Sequence, residues 1–338
     1  MPTNTAAYLS AVGEPLTLKE APYPEPGPDE IVIHNHAIAL NPVDYATQLL
    51  GTKLFPSLKL PTILGVDVAG EVVAVGSEAT RFRVGDRIVG VADQGFQVYP
   101  AVKAHLASHL PSNISYEQAS VIPLAMITAT VGLFGKGYLE LQYPSISPEP
   151  TGKSLLIWGG ATSVGSCAIQ EAVSAGYEVI TTASPQNFEY VKKLGASHVF
   201  DYRSPTVQED IVSVLSGKSS AGVLAISGVD VEGRTAVANA CLDIVSKVGD
   251  VKFVSMAMPA PEKLPDGIGA KFIMAADIKT DLDFANAIFR DYLPGALATG
   301  KFTPAPPAEI VGEGLEALQG GLDTLRKGVS AKKLVVRL

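Results

Sequence analysis

A glycine-rich turn lies in the middle of the chain, between an apolar run and a helical pattern. Where a pyrophosphate approaches the first turn of a helix, the backbone must come close without side chains, and the free N–H groups and the helix dipole bind the anion. Gly159 and Gly160 supply such a turn, and Gly165 allows the helix to pack closely on the strand. Thr162 and Ser163 add hydroxyl donors. The pattern indicates a dinucleotide site, and an ordinary tight turn is the structural alternative.

The next apolar run, at residues 178–182, is followed by a short polar segment without a carboxylate: Ser184, Pro185, Gln186 and Asn187. In NAD enzymes an acidic residue at the end of this strand holds the ribose 2′-hydroxyl group. A carboxylate would repel a 2′-phosphate, whereas Ser184 and Asn187 can donate hydrogen bonds to it. The segment is therefore compatible with NADPH. The same residues are equally well explained by a purely structural role, in which Ser184 or Asn187 is the N-cap of a helix.

Two regions of the chain differ in how apolar and turn residues alternate. In the first third, runs of β-branched residues separated by Pro and Gly predict an all-β module. From residue 117 the pattern becomes helical, and after residue 150 short apolar runs alternate with longer helical stretches, which predicts a parallel sheet. The strands predicted for the β module cover residues 30–39, 66–75, 87–92 and 96–102. The strands predicted for the parallel sheet cover residues 154–158, 178–182, 198–200, 222–226 and 251–256.

The predicted fold class is α/β, with a β domain and a Rossmann-like, doubly wound parallel sheet built from βαβ units. Helices are predicted at residues 164–175 and 187–194. The last residues, 332–338, are strand-like and are expected to return to the first domain. Two domains also agree with the length of 338 residues, which is more than a single core normally supports.

The composition, with 47% hydrophobic and 18% charged residues, predicts a globular protein with a large core. The net charge of -8 and the lack of a Lys/Arg cluster argue against a nucleic-acid partner and favour a small-molecule substrate. Residues 118–135 carry no charge, but Pro123 and Gly132 interrupt them, so a buried helix is favoured over a membrane span. The N-terminus lacks a secretory pattern, and cytoplasmic localisation is expected.

Metal binding is not expected from the side chains available. Cys167 and Cys241 are too few for a thiolate zinc site or a disulfide framework. His34 and His36 alternate on one face of a predicted strand and resemble a ligand pair, but a solvated or hydrogen-bonded face is the favoured interpretation. Without a metal, alcohol oxidation lacks the Lewis acid that usually drives it.

Several motifs resemble those of a known family. Residues 61–76 and 83–89 are similar to the signature of the medium-chain dehydrogenases/reductases, and the segment from Asn41 to Tyr45 resembles the quinone oxidoreductase branch. The resemblance covers nearly the whole chain, and among subfamilies the fungal trans-acting enoyl reductases of polyketide pathways look nearest. Further similar segments are residues 124–129, 158–165, 184–188, 200–202, 325–328 and 333–336.

The resemblance implies a GroES-like catalytic domain, residues 1–125 and 291–338, and a Rossmann NADP-binding domain, residues 126–290. It implies that Asn41, Pro42 and Asp44 line the nicotinamide side and that Thr128 lies under the nicotinamide. The residues that it places at the pyrophosphate are Gly160, Thr162, Ser163, Val164 and Gly165. Those that it places at the 2′-phosphate are Ser184, Pro185, Gln186, Asn187 and Tyr202. Those that it places at the border of the cofactor are Ile273, Met274 and Val329.

The family also contains zinc alcohol dehydrogenases, but the corresponding ligand positions hold Asn41 to Asp44 and Gly65 to Asp67. The predicted reaction is therefore NADPH-dependent reduction of an activated C=C bond in an enone, a quinone or an enoyl thioester. Negative charge develops on the substrate carbonyl oxygen, so a nearby donor is needed. Tyr45 is the candidate donor, or else a packed aromatic residue, and Asp44 and Thr128 complete the catalytic candidates.

Three matters stay open at this stage. The alternatives to C=C reduction are an NADPH-dependent carbonyl reductase and a non-catalytic NADPH-binding member of the family. The resemblance implies a polyketide synthase carrier domain as a further partner, and a monomer or homodimer as the assembly.

Overall fold

The computed structural model describes residues 3–226, 231–248 and 250–338 and divides into two units. The first unit comprises Met1–Leu124, Phe289–Ala298 and Pro304–Leu338, so both ends of the chain belong to it. The second unit comprises Ala125–Ile288 and Thr299–Thr303.

The strands and helices are numbered separately, each in chain order. The strands are β1 (Asn4–Leu9), β2 (Thr17–Ala21), β3 (Glu30–Ala39), β4 (Thr62–Ile63), β5 (Asp67–Val75), β6 (Arg87–Ala92), β7 (Ala101–His109), β8 (Lys153–Trp158), β9 (Glu178–Ala183), β10 (His198–Asp201), β11 (Ser219–Ala225), β12 (Phe253–Met256), β13 (Gly269–Phe272), β14 (Ala308–Glu313) and β15 (Lys333–Arg337). The helices are α1 (Pro42–Leu50), α2 (Tyr116–Ser120), α3 (Pro123–Phe134), α4 (Ser163–Ser174), α5 (Phe188–Lys193), α6 (Val207–Leu215), α7 (Val231–Lys247), α8 (Leu282–Asn286), α9 (Leu293–Ala298) and α10 (Ala317–Arg326).

The first unit is built on a sheet with the order β14-β15-β3-β5-β6-β7, and β3 also pairs with β7, which closes part of the sheet on itself. A smaller sheet has the order β2-β1-β4. The predicted return of the last strand is confirmed, because β15 pairs antiparallel with β3 and Val336 lies opposite Ile38. Both residues belong to an apolar core that also includes Leu318 and Phe96. This closure brings Lys333, at the start of β15, into the same unit as α1.

The second unit contains the predicted parallel sheet, with the order β10-β9-β8-β11-β12-β13. Every pairing in it is parallel, as expected when strands alternate with helices along the chain. The first strand of the sheet, β8, lies in its middle, so the strand order reverses between β9 and β11. In open α/β sheets a ligand binds outside the carboxyl ends of the strands at such a reversal. The turn after Trp158 therefore lies where a ligand is expected.

Two sequence-based expectations for the first unit need correction. The strand predicted at residues 96–102 is wrong over most of its length, because β7 begins at Ala101. Phe96 and Val98 instead donate their N–H groups to the carbonyl oxygens of Leu64 and Thr5, at 2.9 and 3.0 Å. Pro100, which has no N–H group to donate, separates these contacts from β7. The module is also not all β, because α1, α2 and α10 belong to it.

The uncharged segment at residues 118–135 is helical. Within the described residues, the stretch Tyr116–Phe134 is long and apolar enough to cross a membrane, and 78% of its apolar window is buried inside the protein. Pro123 occupies the first position of α3, where its missing N–H group costs nothing. Burial within the protein explains the apolar composition of this stretch.

Candidate active site

The glycine turn after β8 is held by tight packing inside the second unit. Gly159 has a φ of +91°, and a Cβ atom on it would lie 2.6 Å from the carbonyl oxygen of Ile226. A Cβ atom on Gly160 would lie 2.2 Å from the hydroxyl oxygen of Thr181. A Cβ atom on Gly165 would lie 2.2 Å from the carbonyl oxygen of Gly159. These distances are too short for any side chain, so internal packing alone requires all three glycines.

The first turn of α4 leaves backbone donors at the carboxyl end of β8. Thr162 is the N-cap, and its hydroxyl oxygen accepts the N–H group of Gly165 at 3.0 Å. The same hydroxyl group donates to the carbonyl oxygen of Gly159 at 2.8 Å. The N–H groups of Ser163 and Val164 start the helix and have no acceptor one turn earlier. Both residues are partly exposed, so these donors can hold an anion such as a pyrophosphate.

The second polar segment lies at the carboxyl ends of two neighbouring strands. Ala183 of β9 is paired with Asp201 of β10, so the residues that follow them, Ser184 and Tyr202, leave the sheet at the same edge. Asn187 is close to Ser184, because its side-chain Nδ2 donates to the Ser184 hydroxyl oxygen at 3.0 Å. The structure therefore brings three of the predicted 2′-phosphate ligands to one edge of the sheet. The remaining two, Pro185 and Gln186, are exposed in the 3-10 turn between them.

An ion pair that the sequence reasoning did not use lies at this edge. The Arg203 guanidinium contacts Asp201, with 3.1 Å between Nε and Oδ1, and it lies 5.5 Å from the centre of the Tyr202 ring. The hydrogen bonds from Arg203 lower the pKa of Asp201. The edge therefore holds a carboxylate beside its hydroxyl and amide groups, and the guanidinium balances its charge. Asp201 and Arg203 flank Tyr202 in the sequence, which was the available signal.

The side chains predicted around the nicotinamide in the second unit lie on α3 and after β13. Thr128 is partly buried on α3, four residues before Gly132, so the two share a face of the helix. A Cβ atom on Gly132 would lie 2.7 Å from Cδ1 of Ile273. Ile273 is buried, whereas Met274 is exposed. Thr128 and Ile273 thus belong to one region of this unit, and Met274 borders it.

A buried polar cluster lies at the start of α1 in the first unit. Asn41 is the N-cap of α1, which Pro42 begins, and the backbone N–H of Asn41 donates to Oδ2 of Asp44 at 2.8 Å. The side-chain Nδ2 of Asn41 donates to Oδ2 of Asp67 at 2.9 Å. The Lys333 ammonium lies 3.1 Å from the same Asp67 oxygen and also donates to Oδ1 of Asn41. Asn41, Asp44, Asp67 and Lys333 are all at most 3% exposed, and they are called the Asn41 cluster below.

The electrostatics of the Asn41 cluster keep one carboxyl group close to its titration point. Burial raises the pKa of Asp44 to about 7, and the charge of Asp67 acts in the same direction. The backbone N–H groups of Asn41 and Gly65 and the charge of Lys333 oppose this rise in pKa. A carboxyl group with such a pKa can hold and release a proton near neutral pH.

Tyr45 follows Asp44 on α1 but contacts another part of the first unit. It packs against the apolar core that contains Leu318 and Leu322 of α10. It also lines a surface depression together with Gln48 and Arg326. The structure therefore brings Asn41, Pro42 and Asp44 together and directs Tyr45 towards α10. Val329 is exposed in the loop between α10 and β15.

The two segments that the resemblance aligned with zinc ligands meet around an ammonium group. Lys333 lies between Asn41 and Asp67, and its positive charge opposes a divalent cation there. Over the described ranges, 3–226, 231–248 and 250–338, no group of three or more His, Cys, Asp or Glu side chains is arranged to hold a metal ion. His34 and His36 instead stack on Tyr99 and Tyr116, with ring centres 5.1 and 4.5 Å apart. These donors do not fit a zinc ion.

Sequence reasoning missed Asp67 and Lys333 as members of the cluster. In the sequence, Asp67 stands out only as a departure from a zinc-ligand motif, and Lys333 only as part of the similar C-terminal segment. Each is a charged residue at the first position of an apolar strand, which was the available signal. Their pairing joins residues at distant positions in the chain, so no local pattern could reveal it.

Comparison with known proteins gives the same architecture. Residues 27–111 match the family described as alcohol dehydrogenase GroES-like domain, and residues 163–287 match the family described as zinc-binding dehydrogenase. Dehydrogenase azaJ of Aspergillus niger is 52% identical over 347 residues, which cover 100% of each chain. Trans-enoyl reductase himH of Aspergillus japonicus is 40% identical over 319 residues, which cover 91% of this chain and 90% of that protein.

Among solved structures, the CurK enoyl reductase superposes with a TM-score of 0.79 at 20% identity and covers 99% of each chain. A likeness at this level of identity supports the fold. Together with the family matches along the chain and the full-length relatives, it shows that this protein is an oxidoreductase of the medium-chain dehydrogenase/reductase family, whose members bind a nicotinamide cofactor.

Proposed function

We propose that this protein is an NADPH-dependent, zinc-independent reductase that reduces an activated C=C bond in an enone, a quinone or an enoyl thioester. The observation that carries the proposal is the Asp44 carboxyl group, which is buried beside Asn41 and has a pKa raised to about 7. Reduction of a conjugated C=C bond needs a proton source as well as a hydride, and a carboxyl group of this kind can provide one. The 40% identity to a trans-enoyl reductase supports the same reaction class.

The second unit has residues suited to the cofactor. The N–H groups of Ser163 and Val164 hold the pyrophosphate at the start of α4. Ser184, Asn187 and Tyr202 donate hydrogen bonds to the 2′-phosphate at the shared edge of β9 and β10. When bound, the dihydronicotinamide supplies the hydride. The other residues proposed for cofactor binding are Gly160, Thr162, Gly165, Pro185, Gln186, Ile273, Met274, Asn41, Pro42 and Val329.

The side chains of the Asn41 cluster manage the proton. Asp44 holds it on the carboxyl group and delivers it to the substrate carbon next to the carbonyl group. The N–H group of Asn41 keeps the carboxyl group oriented at 2.8 Å. Tyr45 and Thr128 are the further catalytic candidates, as hydroxyl donors to the substrate oxygen. Because Tyr45 packs towards α10, Asp44 is the stronger choice for the acid.

The biological setting follows from the same class of relatives. We propose a polyketide synthase carrier domain as the source of an enoyl thioester substrate, because one relative is named a trans-enoyl reductase. We propose cytoplasmic localisation, since a chain with only two cysteines, Cys167 and Cys241, is not built around disulfide bonds. The proposed assembly is a monomer or a homodimer.

Steady-state turnover with a matched substrate panel tests the proposal. Purified protein is given NADPH with an enone, a quinone or an enoyl thioester, and separately with a saturated aldehyde and ketone, and the products are identified by mass spectrometry. We expect reduction of the C=C bond, unchanged by a chelator, and its loss in Asp44→Asn.

Other outcomes lead to the alternatives. Faster reduction of the saturated aldehyde or ketone contradicts C=C reduction and favours a carbonyl reductase. Bound NADPH without turnover of any substrate favours a non-catalytic member of the family. Activity that disappears with the chelator and returns with zinc contradicts zinc independence.

A further inference from the structure

The Lys333 side chain is an unusual element of the first unit. Its side chain is 4% exposed, and removing an ammonium charge from water is costly unless it is paired and hydrogen-bonded. Lys333 is paired with Asp67 at 3.1 Å, and Asp67 is fully buried. The remaining Asp67 oxygen, Oδ1, accepts the N–H group of Leu124 at the start of α3 at 2.6 Å. Both charges are thus fixed by strands and helices rather than by mobile surface groups.

Lys333 and Asp67 contact opposite ends of the planar side-chain amide of Asn41. Oδ1 of Asn41 accepts from the Lys333 ammonium, and Nδ2 of Asn41 donates to the Asp67 carboxylate at 2.9 Å. These two contacts allow only one orientation of the amide. The backbone N–H of the same residue is the donor to Asp44 at 2.8 Å. Asn41 therefore links the buried ion pair, through its side-chain amide, to the Asp44 carboxyl group, through its backbone N–H.

We propose that Lys333 and Asp67 are positioning residues that act through Asn41 to hold the Asp44 carboxyl group in place for proton transfer. The proposal rests on the proposed function in assigning the proton to Asp44. Neither residue needs to touch the substrate. Their role would explain why a charged pair is retained in a buried cluster, where apolar residues of similar size often give equal or greater stability.

The two charges also act on Asp44 in opposite directions. In the described part of the chain, the charged groups that face Asp44 are Asp67 at the start of β5 and Lys333 at the start of β15. The Asp67 carboxylate raises the pKa of Asp44, and the Lys333 ammonium lowers it. Removal of either charge should therefore shift the pKa of Asp44 in a definite direction.

The test measures the titration of Asp44 directly, by carboxyl carbon NMR of the full chain without substrate. We expect Asp67→Asn to lower the pKa of Asp44 and Lys333→Met to raise it, each by roughly one unit. The pH at which kcat/KM falls should move in the same directions. Lys103→Met is the matched control, because it breaks an exposed ion pair with Asp29 in the same unit and should shift neither quantity.

A double variant separates positioning from folding. Asp67→Asn with Lys333→Met removes both charges, so it is expected to fold even if a single variant does not. It should lower kcat about tenfold, because Asn41 no longer holds the Asp44 carboxyl group in place. Exchange of the Asn41 side-chain amide protons should become faster in this variant.

The outcomes are distinguishable. The proposal is overturned if the folded single variants leave the titration of Asp44 unmoved, or if the double variant keeps the wild-type kcat and the slow exchange of the Asn41 amide. If the wild-type protein reduces no substrate, the proposed function fails. The titration and amide-exchange measurements still decide whether Lys333 and Asp67 position Asp44, because neither requires turnover.

Discussion

The two units present polar groups in different ways. In the first unit, the Asn41 cluster buries charged side chains that contact one another, with Lys333 and Asp67 3.1 Å apart. In the second unit, the candidate cofactor contacts are backbone N–H groups at the start of α4 and hydroxyl and amide groups at the edge of the sheet. The first arrangement is suited to holding a proton in a fixed place, and the second leaves donors available for an anionic ligand.

The difference has an energetic basis. A buried ion pair is stable only while both partners are present, because removing one leaves a charge without compensation, at a cost of about 3–5 kcal/mol. Helix N-termini always carry N–H groups without intrahelical acceptors, so the donors of Ser163 and Val164 require no special compensation. Substitution of Asp44 should therefore affect the chemistry, and a charge introduced at Ser163 should affect cofactor affinity.

The largest expected effect belongs to Asp44 in the first unit. Asp44→Asn removes the acidic proton and should lower kcat by about 100-fold, within the usual range for loss of a general acid. In the wild type, the reactive form is the protonated carboxyl group, whose pKa is raised to about 7, so kcat/KM should be high below this pH and fall above it. Steady-state kinetics across pH check both expectations.

The control for Asp44 is the neighbouring residue. Tyr45→Phe should keep most of the activity, because Tyr45 packs against the core beside α10. If Tyr45→Phe loses activity and Asp44→Asn does not, the acid has been assigned to the wrong residue of α1. Cofactor affinity should be unchanged in both variants, which would separate the chemistry of the first unit from binding in the second.

A smaller effect is expected from a negative charge at the start of α4. Ser163→Glu should weaken NADPH binding by at least about tenfold, because a carboxylate near the pyrophosphate repels it. The same change should leave the melting temperature equal or higher, since a negative charge at a helix N-terminus stabilises the helix. Gly165 is unsuitable for this test, because any Cβ atom there meets the Gly159 carbonyl oxygen at 2.2 Å.

Calorimetric titration with NADPH and thermal unfolding measure the two effects of Ser163→Glu. Ser213→Glu on α6 is the control, because it adds the same charge to an exposed position of the same unit. Equal NADPH affinity in wild type and Ser163→Glu would mean that the pyrophosphate does not bind at this turn.

These contrasts also explain what the sequence could predict. The turn from Gly159 to Gly165 is formed by residues that are close together in the chain. Local sequence patterns therefore predict its glycines, its N-cap and the parallel strands around it. The Asn41 cluster depends on the pairing of β15 with β3, which brings Lys333 to Asn41. The residue types alone do not reveal that Asp67 and Lys333 form an ion pair in the folded protein. The strand predicted at 96–102 was wrong for a related reason. The hydrogen bonds of this segment are scattered over Leu64, Thr5 of β1 and Asn35 of β3, which are distant in the sequence, and do not form a continuous ladder with one strand.

The second unit also buries a carboxyl group, and among the described residues no opposite charge pairs with it. Glu171 on α4 is fully buried, and burial raises its pKa well above 4.5, although the Thr130 hydroxyl donates to Oε1 at 2.7 Å. Its other oxygen, Oε2, has no hydrogen-bond partner among the described residues. The folded state therefore binds a proton that the unfolded chain releases at a lower pH.

This proton gives a definite sign to the pH dependence of stability. The contribution of Glu171 to the free energy of unfolding should be greatest below pH 4.5 and should fall as pH rises towards the pKa of the folded state, by up to about 1.4 kcal/mol per pH unit. Glu171→Gln should remove this fall in the free energy of unfolding. The difference in stability between the variant and the wild type should therefore grow in favour of the variant as pH rises. Denaturant unfolding between pH 4.5 and 8 tests it, with exposed Glu189→Gln as the control. A constant difference at every pH would argue that Glu171 is ionised in the folded protein.

The smallest expected effect concerns the choice between NADPH and NADH at the edge of the sheet. Ser184 and Tyr202 follow a paired position of β9 and β10, and Asn187 is hydrogen-bonded to Ser184. One hydrogen bond to a charged phosphate contributes about 1.5–3 kcal/mol, so the preference for NADPH should be at least about tenfold. The Asp201 carboxylate opposes this preference, but Arg203 is bound to it at 3.1 Å and balances its charge.

The measurement is kcat/KM with each cofactor in wild type, Ser184→Ala and Tyr202→Phe. Each substitution should reduce the ratio of NADPH to NADH several-fold by weakening NADPH alone, because only NADPH carries the phosphate. Arg203→Ala should reduce the ratio further than either, since it removes a positive charge and leaves the Asp201 carboxylate without its partner, close to the bound phosphate. A ratio that none of the three changes moves would place the 2′-phosphate elsewhere, and the polar edge of the second unit would then be only a polar turn beside a surface ion pair.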